Sequence, residues 1–238
     1  PQDQDQNMGL AEHMKGGIKN YFIMNILKSY IKNVLNEILA PGNRKAIFMA
    51  GPGGAGKSTI IDSFGLESKM EIINIDDAYE DGLRDAGLPF DRNKMSDEEK
   101  RLNWRVFGAA KKLTKSTQKS FIESGNAILI DGSGGNYSEI KSEFDKLKAL
   151  DYSVAMIFVD IDLQTTLDRN KKRGLAGGRR LLDREIEKSH NAILKNKDAY
   201  KSMFGNNFFE IDGSEENMKT SMMVTRSLVD KFLEQDIV

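Results

Sequence analysis

Residues 45–59 read KAIFMAGPGGAGKST, and this stretch predicts the fold of the chain. The largely apolar run 45–50 indicates a short buried strand. Residues 51–58 then satisfy the pattern G-x-x-x-x-G-K-[ST], and a helical segment follows to about residue 64. Glycines let backbone N–H groups converge on phosphate oxygens, and the positive end of the next helix adds to the attraction. The stretch therefore predicts a strand, a phosphate-binding loop and a helix.

The loop also predicts roles for its own side chains. Lys57 should reach the β- and γ-phosphates of a nucleoside triphosphate, and Ser58 should bind Mg²⁺. The alternative is a glycine-rich turn with an accidental lysine, which the flanking strand and helix disfavour. The residues expected to contact the phosphates are Gly51, Gly53, Gly54, Ala55, Gly56, Lys57, Ser58 and Thr59.

Strands and helices alternate along the rest of the chain. Ser96 and Glu99 form a capping-box pattern that opens a long helix, which Gly125 closes. This alternation predicts an α/β fold, a mostly parallel five-stranded sheet sandwiched by helices. The further strands are expected at 71–75, 127–130, 154–159 and 208–211, and the further helices at 138–150, 163–173, 183–203 and the C-terminal end.

The length of 238 residues suits one domain of this kind. We expect residues 1–17 to be disordered and residues 18–238 to form a single domain. Within it, 18–42 should hold an N-terminal helix, 82–124 a helical substrate lobe, and 169–183 an arginine-rich lid.

Composition excludes several classes of site. The formal net charge is −1, so any nucleic-acid contact would need a local basic face. The chain has no cysteine, which excludes disulfides, thiolate metal sites and a cysteine nucleophile. No apolar run approaches the roughly 18 residues that span a bilayer. We therefore expect no membrane partner and a cytoplasmic location.

Aspartates follow several of the predicted strands, at the sheet edge where such folds bind ligands. Carboxylates there can hold Mg²⁺ or accept a proton from an attacking hydroxyl, although aspartate also caps helices. Asp131 ends an apolar strand before a glycine-rich loop, which favours a functional role and a place with Ser58 at the metal. Asp160 and Asp162 are better explained as capping residues. Asp76 and Asp77 follow strand two.

Arginines mark a second candidate element. Arg169 and Arg173 are four residues apart and so share one helical face. A glycine-rich loop follows and ends at Arg179 and Arg180. A loop of this kind can close over phosphates and neutralise charge on the transferring group. The alternative is a solvated basic helix end, which the helix dipole favours.

Four segments together, GPGGAGKST, NIDDAY, ILIDG and LDRNKKRG, resemble P-loop kinases of the polynucleotide 5′-hydroxyl kinase and zeta-toxin type. The resemblance covers roughly residues 45–200. It implies that ATP is the nucleotide and that Asp77, in an Asp-x-Tyr setting, is the base that activates an acceptor hydroxyl. Asp76 is the alternative base. Arg169 and Arg173 are then implied to bind ATP phosphates or stabilise the transferring group.

The acceptor stays open at this stage. The segment GGRR at 177–180 departs from the polynucleotide-kinase pattern, and zeta-toxin members phosphorylate a nucleotide sugar. A polynucleotide 5′-end and a small metabolite are thus both candidates, and the oligomeric state is unknown. A nucleotide hydrolase or switch and a non-catalytic nucleotide-binding scaffold are the alternative functions.

The long helix is rich in basic residues, which with Trp104 could hold a polynucleotide. Because Glu98, Glu99 and Glu123 share this helix, we favour a solvated helix face with Trp104 in the core. The basic residues are Lys100, Arg101, Arg105, Lys111, Lys112, Lys115 and Lys119.

Overall fold

A computed structural model describes residues 27–28 and 44–235. Its five strands form one sheet in the order β2-β3-β1-β4-β5, and every neighbouring pair is parallel. The predicted five-stranded parallel sheet is confirmed. The strands are β1 (Lys45–Ala50), β2 (Glu71–Ile73), β3 (Ile128–Gly132), β4 (Ser153–Asp160) and β5 (Phe208–Asp212).

Helices cover both faces of this sheet. Successive side chains of a strand point to opposite faces, so Ile47 packs in one core cluster with Phe64 and Phe232, whereas Phe48 packs in the other with Phe204. The sandwich predicted for the chain is therefore confirmed. The helices of the described part are α1 (Lys57–Phe64), α2 (Ile75–Asp85), α3 (Asp97–Glu123), α4 (Tyr137–Ala149), α5 (Leu163–Leu175), α6 (Asp183–Phe204) and α7 (Met218–Glu234).

A third hydrophobic cluster joins α2 to α3 outside the sheet. Tyr79 and Leu83 of α2 pack there against Val106 and Ala110 of α3. The predicted capping box opens α3: the Ser96 hydroxyl accepts from the Glu99 N–H at 3.2 Å, and the Glu99 carboxylate accepts from the Ser96 N–H. The helical excursion thus begins at α2, earlier than the predicted lobe boundary of residue 82.

The start of α2 corrects one prediction. Strand β2 ends at Ile73, whereas the prediction extended it to residue 75, and residues 75–85 are helical. Asn74 caps the helix, since its side-chain oxygen accepts from the Asp76 N–H at 2.7 Å. Asp76 and Asp77 lie in the first turn, where the helix dipole favours carboxylates. Both therefore lie on a helix rather than at a strand end.

The structure also tests four smaller predictions. Helix α5 continues through Gly174 to Leu175, beyond its predicted end. Asp162 caps α5 as predicted, because it accepts from the Thr165 N–H at 2.8 Å, whereas Asp160 instead pairs with Lys197. The placement of Trp104 in the core is wrong, since its side chain is 62% exposed.

The predicted N-terminal disorder and helix lie outside the described residues, apart from the helical pair 27–28.

Candidate active site at the carboxyl edge of the sheet

The phosphate-binding loop connects β1 to α1. Gly54 and Gly56 have φ values of 95° and 90°, a left-handed conformation that glycine adopts without strain. A side chain at Gly54 would also lie 2.9 Å from the Thr166 carbonyl oxygen of α5. Gly56 precedes α1 and offers no side-chain cap, so the first N–H groups of this helix remain available to an anion.

Lys57 and Asp131 lie side by side under this loop. The Lys57 ammonium donates to the Gly51 carbonyl oxygen at 3.0 Å and lies 3.9 Å from Asp131 Oδ1. Asn74 donates to the other oxygen, Asp131 Oδ2, at 2.9 Å. Asp131 Oδ1 is buried and accepts no hydrogen bond from any described residue. This oxygen is thus available to a ligand.

Burial dominates the electrostatics of Asp131. Burial is the main reason that the pKa of its carboxyl is raised to about 6; the nearby Lys57 charge acts to lower this pKa, and the charges of Asp76 and Asp77 act to raise it. The carboxylate remains the main form at neutral pH, and it carries a negative charge beside Lys57.

Asp76 and Asp77 differ in their partners. Asp76 Oδ2 pairs with the Arg179 guanidinium at 2.5 Å. Burial raises the pKa of the Asp77 carboxyl, and the nearby charges of Asp76 and Glu80 raise it too. A raised pKa makes the Asp77 carboxylate a stronger proton acceptor, whereas the Asp76 carboxylate is already engaged by the Arg179 guanidinium. Asp77 is the better candidate base on both counts.

Three of the four predicted arginines line the cleft beside the loop: Arg169, Arg173 and Arg179. Arg169 donates to the Gly213 carbonyl oxygen at 3.2 Å. Burial and the charge of Arg179 lower the pKa of Arg173. Arg180 does not line this cleft and lies 3.8 Å from Asp183 instead.

The loop after α5 lines one side of the cleft through Arg179 and Leu181, and we refer to this loop as the roof. Asn170 ties it down through two hydrogen bonds with the Leu181 backbone, both at 3.0 Å. On the other side, the Arg180 N–H donates to the Phe90 carbonyl oxygen at 3.3 Å, and the Arg92 N–H donates to that of Arg180 at 3.4 Å. The roof is therefore joined to the segment between α2 and α3.

An ion pair reinforces this junction. Arg92 Nη1 contacts both carboxylate oxygens of Glu185, at 2.9 and 2.7 Å, and Glu185 lines the cleft from the first turn of α6. Sequence reasoning missed Arg92 and Glu185, because no local motif marks an ion pair between residues 93 positions apart. It also missed the role of Asn170, whose hydrogen bonds to the Leu181 backbone follow from tertiary structure. The strand-to-helix junction at Asn74 carried a capping signal that could have been found.

Two cavities meet at Asp77. The larger, of about 610 Å³, lies between the phosphate-binding loop, the first turn of α2, the end of β3 and the arginines, a volume within the usual range for ligand sites. The smaller, of about 150 Å³, lies between β2, α2 and α3, where Thr114 and Thr117 line it. Asn74 and Asp77 line both.

These features define a P-loop nucleotide-binding protein with the kinase fold, in which a helical excursion and an arginine-bearing roof flank the phosphate loop. The chain belongs to the zeta toxin family, whose sequence profile matches residues 31–217. The resemblance drawn from the sequence is confirmed. The family makes the chain a nucleotide-dependent phosphotransferase that acts on a hydroxyl acceptor.

Solved structures share this fold at low sequence identity. A structure of the PezAT chromosomal toxin-antitoxin system of Streptococcus pneumoniae is 16% identical, with a TM-score of 0.59 over 91% of this chain and 96% of that chain. A protein of Chloroflexus aurantiacus is 14% identical, with a TM-score of 0.54 over 81% of this chain and 99% of that one. No curated protein matches the chain.

Within residues 27–28 and 44–235, no helix has the length and apolar character needed to cross a bilayer.

The raised pKa of Asp131 gives a pH-dependent stability. Its folded-state pKa is about 6 against an ordinary value of 3.8, so the folded protein binds an extra proton between these values and loses stability as pH rises through them. Asp131→Asn lacks this titration. From pH 4 to pH 7, the free energy of unfolding of the variant should gain up to about 3 kcal/mol relative to wild type. Urea unfolding at both pH values measures this, and an equal difference at both would contradict it.

The Arg92–Glu185 pair should position the roof over the cleft. Arg92→Glu or Glu185→Arg alone sets like charges together, so we expect kcat/KM for the nucleotide to fall roughly tenfold in each. The Arg92→Glu/Glu185→Arg double variant restores an attractive pair and should recover to within about threefold of wild type, a coupling of the size that contacting residues show. If the losses of the single variants simply multiply, the pair does not position the roof.

Proposed function

We propose that the protein transfers the γ-phosphate of ATP, with Mg²⁺, to a hydroxyl group of a small metabolite such as a nucleotide sugar. The observation that carries this proposal is the position of Asp77, which lines both the phosphate-loop cleft and the adjoining smaller cavity. A base between a phosphate site and a second site is what transfer to an acceptor requires, whereas hydrolysis requires only water.

In this proposal the nucleotide phosphates occupy the loop and the start of α1. Lys57 exchanges its contact with the Gly51 carbonyl oxygen for the β- and γ-phosphates, a change of partner that a flexible ammonium makes readily. Arg169 and Arg173 lie across the same cleft and neutralise charge that develops on the transferring group. Arg179 lies beside them, and its pairing with Asp76 and Glu80 holds it at the cleft wall.

The chemical step then uses Asp77 as general base. Its carboxylate accepts the proton of the acceptor hydroxyl while the hydroxyl oxygen attacks the γ-phosphorus. The bond from that phosphorus to the β–γ bridging oxygen breaks, and ADP leaves with this oxygen. Burial of Asp77 and the repulsion from Asp76 and Glu80 raise its pKa, which favours the proton transfer.

Ser58 and Asp131 fit a magnesium site. Oxygen donors suit this ion, and Asp131 Oδ1 is a buried carboxylate oxygen that lacks a hydrogen-bond donor among the described residues. No three acidic or histidine side chains converge as metal ligands in the described ranges, so phosphates and water would complete the coordination. Held there by Ser58 and Asp131, magnesium would neutralise charge on the nucleotide phosphates during transfer.

The smaller cavity supports a compact acceptor. Its volume of about 150 Å³ suits a sugar-sized group better than a polynucleotide 5′-end. The side chains of Asn74, Thr114 and Thr117 provide hydrogen-bonding groups beside the apolar ring of Phe121. Membership of the zeta toxin family agrees with this choice. Nucleotide sugars are accordingly the first acceptors to test.

ADP formation measured with and without candidate acceptors tests the proposal. We expect slow turnover of ATP with magnesium alone and at least roughly tenfold faster turnover when a nucleotide sugar is added. Stimulation by 5′-hydroxyl oligonucleotides and not by sugars would move the acceptor to a polynucleotide end. Equal turnover with and without every acceptor would contradict a transferase role for Asp77.

A further inference from the structure

Helix α3 carries a long segment of uniform positive charge. Between residues 100 and 122 there is no aspartate or glutamate, although the chain as a whole has 35 basic and 36 acidic residues. The glutamates of this helix lie near its two ends, at Glu98, Glu99 and Glu123. A solvated helix face ordinarily mixes both signs. The basic residues of the segment are Lys100, Arg101, Arg105, Lys111, Lys112, Lys115 and Lys119.

Four of these residues form a row without counter-ions. Arg101, Arg105, Lys112 and Lys115 follow the i, i+4, i+11, i+14 spacing of one helical face, all are exposed, and none has an ion-pair partner within the described ranges. Gly108 lies on the same helical face, and a Cβ added at its position would have no atom within 4 Å, so the surface there is open. By contrast, the flanking Lys100, Lys111 and Lys119 pair with Asp97, Glu139 and Glu123.

An exposed aromatic ring adjoins this row. Trp104 is 62% exposed and lies one helical turn from Arg101. Its ring meets Phe107 edge to face at 6.2 Å, and the Arg92 guanidinium lies 5.8 Å from its centroid. These contacts hold the indole in place and leave much of its surface to solvent, as in a stacking platform for a base.

We propose that this basic face, defined by Arg101, Trp104, Arg105, Lys112 and Lys115, binds single-stranded nucleic acid. The row spans 14 residues, or about 21 Å of helix, which matches a short run of backbone phosphates. Trp104 distinguishes this partner from an acidic peptide, because a flat indole beside cations stacks on an unpaired base. A duplex would hide its bases from the ring.

The proposal does not rest on the proposed function. The α3 residues that pack toward α2 and Asp77 are Val106 and Ala110, about half a helical turn away from the row. The basic face is therefore a second surface, separate from the cleft where transfer takes place. Phosphate contacts along it would bring nucleic acid to the protein without entering the active site.

Trp104 provides a direct readout because it is the only tryptophan of the chain. Titration with a deoxythymidine 20-mer should quench its fluorescence through stacking. With four phosphate contacts, the logarithmic salt slope should be about −3, so raising salt from 50 to 200 mM should weaken binding roughly 50-fold. Anisotropy of a labelled 20-mer measures the same equilibrium without relying on tryptophan.

Arg105→Glu/Lys112→Glu should weaken 20-mer binding at least roughly tenfold and flatten the salt slope. Lys141→Glu/Lys146→Glu on α4 makes the same change in net charge on exposed lysines that already have partners, and should bind normally. Trp104→Leu should weaken anisotropy-detected binding by about 1–3 kcal/mol, or roughly five- to 150-fold. Circular dichroism and thermal unfolding show that each variant is folded.

Three results would overturn the proposal. The first is no binding of the 20-mer at 50 mM salt. The second is equal loss in the α4 control variant, which would mean attraction by net charge alone. The third is binding of poly-glutamate as tightly as the 20-mer with no effect of Trp104→Leu, which would assign the face to an acidic protein partner.

Discussion

Lys57→Ala should lower phosphotransfer at least about 1,000-fold, equivalent to roughly 4 kcal/mol of transition-state stabilisation. Lys57 is the charged side chain of the loop. Its ammonium group donates to the Gly51 carbonyl oxygen and lies near the buried carboxylate of Asp131. Alanine removes the contact to the transferring phosphoryl group. Initial rates of transfer at saturating ATP and acceptor measure the loss in kcat.

Lys69→Ala is a matched control for this variant. Lys69 is also a lysine with an acidic partner, Asp230, yet it lies away from the cleft, and we expect transfer within about twofold of wild type. Because Lys57→Ala leaves Asp131 without its cation, thermal unfolding should be recorded for both variants. Transfer by folded Lys57→Ala at a tenth of the wild-type rate or more would exclude the role given to this lysine.

Asp77→Asn should keep ATP binding and lose transfer about 100- to 10,000-fold, the usual range for a general base. The asparagine has nearly the same shape but cannot accept the proton of the acceptor hydroxyl. The folded state raises the pKa of Asp77 through burial and repulsion, so the ionised side chain destabilises the fold above that pKa. The variant should therefore unfold at the same or a higher temperature at pH 7.5, and a fall in rate cannot then be attributed to misfolding.

Asp76→Asn is the neighbouring control. Asp76 pairs with Arg179, so its loss should loosen the arginine and raise KM while transfer continues. The ratio of kcat values separates the two positions. If Asp76→Asn loses kcat and Asp77→Asn does not, the base is Asp76.

The sequence predicted the sheet well because its signals are local. Apolar runs such as 45–50 and 154–159 mark buried parallel strands, and the loop pattern at 51–58 fixes the strand-to-helix connection. The capping box at Ser96 marked the start of α3 to within one residue. These elements depend on neighbours in the chain, which a single sequence displays.

The end of β2 was harder to predict. Residues 71–75 read EIINI, an apolar pattern that continues past the true end of the strand at Ile73. The Asn74 cap and the two aspartates of the first turn begin α2 instead, and Ile75 packs with the α2–α3 cluster. Local capping here prevails over strand propensity.

The site was predictable only in part, because a single sequence displays local motifs but not contacts between distant residues. The loop, Asp77 and the α5 arginines are marked by short motifs, and the fold brings most of them to one cleft. The roof contacts depend on side chains far apart in sequence, such as Arg92 and Glu185. Trp104 was assigned to the core as part of the interpretation of α3 as a solvated helix, whereas its side chain is exposed beside Arg92, a contact that no local pattern displays.

The most direct test of phosphotransfer is to follow the labelled γ-phosphate of ATP, with magnesium and wild-type protein, into a panel of nucleotide sugars, nucleosides and 5′-hydroxyl oligonucleotides. We expect the label on a hydroxyl of a nucleotide sugar, with no label transferred by Asp77→Asn. Release of the label only as inorganic phosphate, at the same rate in wild type and Asp77→Asn, would contradict a kinase in which Asp77 activates the acceptor.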